Sequence, residues 1–353
     1  MLAAFIMAGG SGERFWPLST RERPKQLLKL IDPERSMIRM TVDRILPLIP
    51  KERIFIGTNA IQAAAIKKEL PMLPEDNIIV EPSFKDTAAA IGYGATQISE
   101  KLKVKSEKLS KEITMIVLAS DHLIKNEENF RQRLTTAIET AKKNKSIVTL
   151  GIKPTKPETG YGYIETEECY IGEPAKVKRF WEKPSLERAE KYVENGNYLW
   201  NSGMFVFQIS TMMDSFNKYM PKHSEIFGNI KRISRIENPE EKIKEQFEKF
   251  EKMSIDFGIM EKAENIEVIP VDFGWNDIGS YPALDDVFEK TETGTINRNG
   301  KIKEFNSRNN IVIGTGEKEI GLLGIKDVVV VETEDQILIC KKNEAQNIKK
   351  IIR

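Results

Sequence analysis

The chain opens with a short apolar run, Leu2 to Ala8, that empties into Gly9-Gly10-Ser11-Gly12-Glu13-Arg14-Phe15-Trp16-Pro17-Leu18-Ser19 and then Pro24-Lys25-Gln26-Leu27-Leu28. No other stretch restricts the fold as strongly. A buried strand that ends in clustered glycines must turn sharply, and glycine lets backbone N–H groups converge on an anion with no Cβ in the way. Arg14 and Lys25 add mobile positive charge to the same corner, a combination suited to a polyphosphate. The loop is not a P-loop, because no Gly-Lys-Ser/Thr follows, and it is not G-x-G-x-x-G, because Phe15 stands where the third glycine belongs. Taken by itself it reads equally well as a tight strand-to-helix turn with solvated charges.

The rest of the chain narrows the choice. Strand-like runs at Ile54–Gly57, Ile78–Glu81, Met115–Ala119 and Ile147–Gly151 alternate with helix candidates near Met37–Leu46, Ile61–Leu70, Ala88–Leu102 and Phe130–Lys142. Such alternation predicts an α/β domain with a Rossmann-like, mixed but mostly parallel sheet, covered on both faces. Ligands of these sheets bind outside the carboxyl ends of the strands. The glycine loop and Asp121 both follow strands, so they can share one crevice.

From about Lys153 to Phe207 short aromatic, glycine-punctuated runs suggest an antiparallel insert or lid, and residues 231–252 read as a charged helical stretch with a solvated face. After residue 284, β runs at Asn310–Ile313, Ile320–Leu323, Val328–Glu332 and Ile337–Cys340 point to a small β domain closed by a helix, without a clean hexapeptide repeat. The expected organisation is a catalytic domain over 1–284 and a C-terminal β domain over 285–353.

With 353 residues, 40% of them hydrophobic, the chain can bury one large core and a smaller one. A net charge of +1 with dispersed basic residues gives no reason to expect a nucleic-acid or membrane-surface partner. Cys169 and Cys340 are too few and too isolated for a disulfide framework or a zinc site. The N-terminal apolar run is too short for a signal peptide and no segment approaches a membrane span, so a cytoplasmic enzyme is expected.

A polyphosphate loop needs metal-binding carboxylates if it is to do phosphoryl chemistry, and Mg²⁺ takes one or two of them plus phosphate and water oxygens. Asp121, in Leu118-Ala119-Ser120-Asp121-His122, and Asp277, in Gly274-Trp275-Asn276-Asp277-Ile278-Gly279, stand after apolar stretches. Either alone is also an ordinary turn or capping aspartate. The two histidines, His122 and His223, lie in no nucleophile motif, so no covalent intermediate is suggested. His122 is a candidate supporting partner for Asp121, or a structural histidine.

The blocks taken together resemble the mannose-1-phosphate guanylyltransferases (GDP-mannose pyrophosphorylases), sugar nucleotidyltransferases. They are the glycine loop with Pro24-Lys25-Gln26, Glu81-Pro82 with Thr87-Ala88, Asp121-His122, Gly160-Tyr161-Gly162-Tyr163-Ile164, Glu182-Lys183-Pro184, and Trp200-Asn201-Ser202-Gly203-Met204-Phe205. Ser254-Ile255-Asp256 through Met260-Glu261-Lys262 and the Asp277 segment extend the likeness over nearly the whole chain.

The resemblance implies roles. Gly9, Gly10, Gly12, Glu81 and Thr87 would bind nucleotide, Arg14 and Lys25 the triphosphate, and Asp121 and Asp277 Mg²⁺. Lys183 would contact the sugar phosphate, Glu182 the sugar hydroxyls, and Asn201 with the backbone at Gly162 the rest of the sugar pocket. Glu81 could accept from guanine N1–H and N2–H, though it could also simply end a strand, and carbonyls of the glycine loop could read the base instead. Glu182-Lys183 has an alternative as an exposed ion pair, and Asn201 as a turn residue.

Two departures stand out: Ala119-Ser120 where the family often has Pro-Ala, and Lys85-Asp86-Thr87-Ala88-Ala89 where it usually has Arg-Asn-Thr-Ala-Pro. They bear on base contacts and loop conformation more than on reaction type. The implied activity is GMP transfer from GTP to α-D-mannose 1-phosphate. The implied C-terminal domain is a truncated left-handed β-helix that assists a homodimer, with no isomerase activity expected. The alternatives are another sugar 1-phosphate or nucleotide, and a non-catalytic nucleotide-sugar-binding regulatory subunit.

Overall fold

The structure, a computed structural model, describes residues 1–103 and 113–352. It divides into two compact units. The first comprises Met1–Gly9, Thr41–Ser120 and Ile124–Trp275; the second comprises Gly10–Met40, Asp121–Leu123 and the chain from Asn276 onward.

The first unit is built on nine strands: β1 (Leu2–Met7), β2 (Ile54–Asn59), β3 (Ile78–Glu81), β4 (Thr114–Ala119), β5 (Ile147–Ile152), β6 (Tyr163–Thr166), β7 (Ala175–Trp181), β8 (Tyr198–Gln208) and β9 (Ile266–Val271). Their order in the sheet is β3-β2-β1-β4-β8-β5-β9-β7-β6. The first four are parallel, with Phe5 of β1 in register with Phe55 and Val117 on either side. Continuous apolar runs such as Leu2–Met7 suit strands buried on both faces, and helical crossovers keep them parallel. Asn59 ends β2 and starts the next helix, its side chain accepting from the amides of Ile61 and Gln62.

The stretch expected to form an antiparallel insert or lid is instead part of this sheet. β8 runs antiparallel between β4 and β5, and β6 and β7 continue the sheet beyond β9. Its residues 204–207, Met-Phe-Val-Phe, are fully covered, and burying Phe205 and Phe207 in the central core outweighs any exposed arrangement. The charged stretch 231–252 resolves into the end of helix Pro221–Ile233 and helix Glu240–Glu248. The latter buries Ile243 and Phe247, so one face is core and only the other is solvated.

The second unit carries two short ladders. In one, β10 (Ile296–Arg298), β12 (Ile311–Ile313) and β14 (Val328–Glu332) are parallel, and β15 (Ile337–Lys341) closes the edge antiparallel. In the other, β11 (Lys301–Phe305) pairs in parallel with β13 (Glu319–Leu323). Ile296, Ile311 and Val329 stack in register, so successive rungs are 15 and 18 residues apart. That unequal step explains why no regular hexapeptide repeat is visible in a β-helix-like coil. The stack packs with Phe15, Leu28, Tyr281, Leu284, Ala345 and Ile348 in one apolar core. The linear boundary expected at 284/285 therefore does not coincide with the compact units, because the glycine-rich segment shares its core with the C-terminal strands. Among the described residues no helix is long and apolar enough to cross a membrane.

Candidate active site

In the second unit a polar cavity of about 380 Å³ is lined by Ser11, Gly12, Arg14, Lys25, Asp121, His122, Asp277 and Gly279, with Glu13, Phe15 and Lys349 completing its wall. Four segments distant in sequence meet there. Gly12 adopts φ +62°, and a Cβ on it would lie 2.4 Å from the Lys25 amide nitrogen. Only glycine lets the loop fold this tightly onto the Pro24-Lys25-Gln26 segment. Gln26 Nε2 donates to the Gly10 carbonyl at 3.2 Å, and Ser19 Oγ to the Gly12 carbonyl at 2.7 Å, which secures both halves of the turn.

Lys25 is buried, with 6% of its side chain exposed, and a buried ammonium must be paired. Its Nζ lies 2.8 Å from Asp121 Oδ2 and donates to the Asp277 carbonyl at 2.5 Å. Burial by itself would raise the Asp121 carboxyl, but the Lys25 ammonium and His122 beside it prevail and hold it below the usual range. Arg14 Nη1 donates to the Gly279 carbonyl at 3.3 Å. The turn that carries Asp277 is set by Asn276, whose Oδ1 accepts from the Ile278 amide at 2.7 Å.

Thus Gly12, Arg14, Lys25, Asp121 and Asp277 converge as the sequence suggests, and His122 lies with them. Among the described residues no group of three or more His, Cys, Asp or Glu is placed to hold a metal ion. Two carboxylates on a cavity that also presents cationic groups are the donor set Mg²⁺ uses when phosphate and water complete its shell.

A second cluster lies in the first unit. Asn201, on β8, accepts the Gly203 amide on its Oδ1 at 3.1 Å and donates from Nδ2 to Asp256 Oδ1 at 2.9 Å, so its amide orientation is settled. The Asn201 amide donates to the Gly162 carbonyl at 2.8 Å. A Cβ on Gly162 would lie 2.5 Å from Glu182 Oε2, so any larger residue there would make that carboxylate shift. Glu182 is 14% exposed and pairs at 3.0 Å with Lys183, which is 64% exposed and has a φ of +45° just beyond the strand. The ion pair exists, and it leaves the ammonium accessible.

Asp256 begins a short π-helical turn, Asp256–Met260, and burial together with the neighbouring Glu182 charge lifts its carboxyl to about 6. His223, by contrast, is structural. Its Nε2 lies 3.1 Å from the Glu251 carbonyl, and burial lowers its pKa.

Glu81, at the end of β3, approaches the glycine loop: its Oε1 is 4.0 Å from where a Gly9 Cβ would stand. Burial pushes its carboxyl up to about 7. Thr87 accepts the Ile255 amide on Oγ1 at 2.8 Å and so fastens the 85–88 segment beside Asp256. Gly9 falls in the first unit and Gly10 in the second.

The Nucleotidyl transferase family profile matches residues 3–294, and a profile described as a MannoseP isomerase/GMP-like beta-helix domain matches residues 303–353. The chain is 35% identical over 361 residues to Mannose-1-phosphate guanylyltransferase 2 of Escherichia coli O157:H7, covering 99% of itself and 73% of that protein. The chain belongs to the mannose-1-phosphate guanylyltransferase family of nucleotidyl transferases.

Xanthan biosynthesis protein XanB of Xanthomonas campestris pv. campestris strain B100 is 35% identical over 350 residues, 98% of this chain and 72% of that one. A crystal structure of mannose-1-phosphate geranyltransferase from Thermus thermophilus superposes with a TM-score of 0.85 at 32% identity, covering 99% of this chain and 98% of the other. Membership of this guanylyltransferase family accounts for both the α/β sheet and the β-helix-like ladders.

Two residues at these clusters escape a reading by motif. Asp256 sits in a block that resembles the family, but nothing local distinguishes it from a turn aspartate; only its bond to Asn201, 55 residues away, does. Lys349 is one of a Lys349-Lys350 pair near the C-terminus and carries no local signal at all.

Proposed function

We propose that this enzyme transfers GMP from GTP to α-D-mannose 1-phosphate, releasing pyrophosphate and forming GDP-mannose. A non-bridging oxygen of the sugar phosphate attacks the α-phosphorus in line, and the bond to the bridging oxygen of pyrophosphate breaks. One phosphoanhydride replaces another, so the reaction is readily reversible. The observation that carries the reading is the convergence of Arg14, Lys25, Asp121 and Asp277 on one cavity.

Two anions must meet, so the work of the protein is positioning and charge neutralisation. Arg14 and Lys25 hold the triphosphate and stabilise charge gathering on the departing pyrophosphate. Asp121 and Asp277 would hold Mg²⁺, which supplies Lewis-acid neutralisation of the phosphate oxygens when bound. Because Lys25 keeps Asp121 ionised, that carboxylate is ready to serve as a ligand at neutral pH.

Lys183 contacts the phosphate of the sugar, Glu182 accepts from its hydroxyls, and Asn201, held by Asp256, adds an amide beside the Gly162 backbone. Glu81, ionised above about pH 7, accepts from the N1–H and N2–H of guanine. The same reading has the enzyme working in the cytoplasm, where nucleoside triphosphate is supplied, as a homodimer.

The test is pyrophosphate release with Mg²⁺, crossing four nucleoside triphosphates against mannose, glucose and fucose 1-phosphates. Dominant release with GTP and mannose 1-phosphate is expected. A signal spread over several pairs would make the enzyme a promiscuous sugar nucleotidyltransferase, and silence with GDP-mannose still bound would make it a sensor.

A further inference from the structure

We propose that Lys349, supplied by the segment that closes the C-terminal β domain, binds the triphosphate of the incoming nucleotide and the pyrophosphate that leaves. The proposal rests on the reading above, that the cavity of the second unit takes a nucleoside triphosphate.

Lys349 lies in the 3-10 helix Lys342–Lys350, which is held at several points. Ala345 and Ile348 are buried in the core shared with Phe15 and Tyr281. Gln346 Nε2 donates to Ser280 Oγ at 3.1 Å, three residues beyond Asp277. Lys342 Nζ reaches Asp285 at 2.8 Å and Asn309 Oδ1 at 3.0 Å. With Ile348 inserted into the core, the next side chain emerges on the cavity wall, beside Arg14, Lys25, Asp121 and Asp277. The helix is therefore a fixed platform for this lysine and not a loose tail.

The electrostatics of the cavity give the lysine a task. Its cations are Arg14, Lys25 and Lys349, and its anions are Glu13, Asp121 and Asp277, so their formal charges cancel. Lys25 is occupied by Asp121 and the Asp277 carbonyl, and Arg14 by the Gly279 carbonyl. Among the described residues the Lys349 ammonium has neither an ion pair nor a hydrogen bond, so phosphate can take it without breaking an existing contact. Without it the wall's own side chains sum to a net negative charge, an unfavourable surface for a polyanion until a divalent cation is bound. A flexible ammonium suits a group that is bound as triphosphate and released as pyrophosphate.

The ordinary alternative is a solvated lysine on the rim, and Lys350 provides the control, since it carries the same charge one residue on and does not line the cavity. The experiment measures pyrophosphate release and the reverse reaction for the full chain and for Lys349→Ala, Lys349→Arg and Lys350→Ala, with thermal midpoints recorded for each. For Lys349→Ala the expected result is a roughly tenfold rise in KM for GTP and for pyrophosphate, with KM for mannose 1-phosphate and the thermal midpoint unchanged. That rise should shrink as KCl is raised to about 0.5 M. Lys349→Arg should restore most of the affinity, and Lys350→Ala should match the unaltered chain. GTP and pyrophosphate KM values within twofold of the unaltered chain in Lys349→Ala, or an equal effect in Lys350→Ala, would overturn the proposal. Silence of the unaltered chain with every nucleotide and sugar phosphate would overturn the underlying reading and the proposal with it.

Discussion

Carboxylates occur in both polar clusters, yet the protein treats them in opposite ways. In the second unit Asp121 is held ionised against burial by a lysine 2.8 Å away. In the first unit Asp256 has an amide and a second carboxylate for neighbours, and its pKa is lifted to about 6. Under the proposed function the same residue type serves different ligands. A cavity for phosphate and a divalent cation needs carboxylates that stay charged, whereas a hydroxyl-binding cluster works through hydrogen bonds and tolerates a carboxyl near its titration point. Charge dominates one cluster and geometry the other.

The strongest way to break this contrast is Asp121→Asn. Removing the ionised group strips Lys25 of its partner and, on the proposed mechanism, takes away a metal ligand, so turnover under saturating substrates should fall at least about a thousandfold. A rate near that of the unaltered enzyme would show that charge at this position is not what the cavity needs.

Asp256 tests the other side through pH. A carboxyl whose folded pKa is raised binds its proton more tightly in the native state. Its stabilising contribution is therefore full below the unfolded value of 3.8 and is lost as pH rises to about 6. Asp256→Asn keeps an acceptor for Asn201 and removes that loss. Relative to the unaltered protein, the variant should gain up to about 3 kcal/mol between pH 4 and pH 7 in denaturant titrations. A difference that does not vary with pH would mean that Asp256 is ionised without cost.

Gly12→Ala sharpens the comparison by disturbing geometry where charge is said to dominate. The left-handed φ and the 2.4 Å approach to the Lys25 backbone predict a loss of about 2 kcal/mol and a rise of roughly thirtyfold in KM for GTP. An alanine accommodated without change would show that the loop is looser than its contacts imply. The smallest expected effect is Lys183→Ala, which should raise KM for mannose 1-phosphate about tenfold and leave KM for GTP within twofold. An equal change in both would place Lys183 with the nucleotide instead.

Much of this molecule could be read before it was seen folded. Leu2–Met7, Ile54–Asn59 and Thr114–Ala119 are contiguous apolar runs, and Asn59 caps the helix that follows the second, so much of strand and helix follows from local preference. The turn into Gly12 follows from glycine alone, and the Pro24-Lys25-Gln26 segment, Asp121 and Asp277 could be marked as chemistry only in combination, because their blocks together resemble one family. Packing decided the rest. Tyr198–Gln208 carries the texture of a surface ribbon and becomes a central strand because the sheet has a place for it between Thr114–Ala119 and Ile147–Ile152. The rungs of the C-terminal ladders are spaced unequally, so their alignment depends on the stacking of Ile296, Ile311 and Val329 and on no repeat. Asp256 and Lys349 gain meaning only from neighbours 55 and at least 70 residues away. Periodicity and turn chemistry act between residues a few positions apart, whereas the distance between a carboxylate and an amide on separate elements is set by how whole faces fit together.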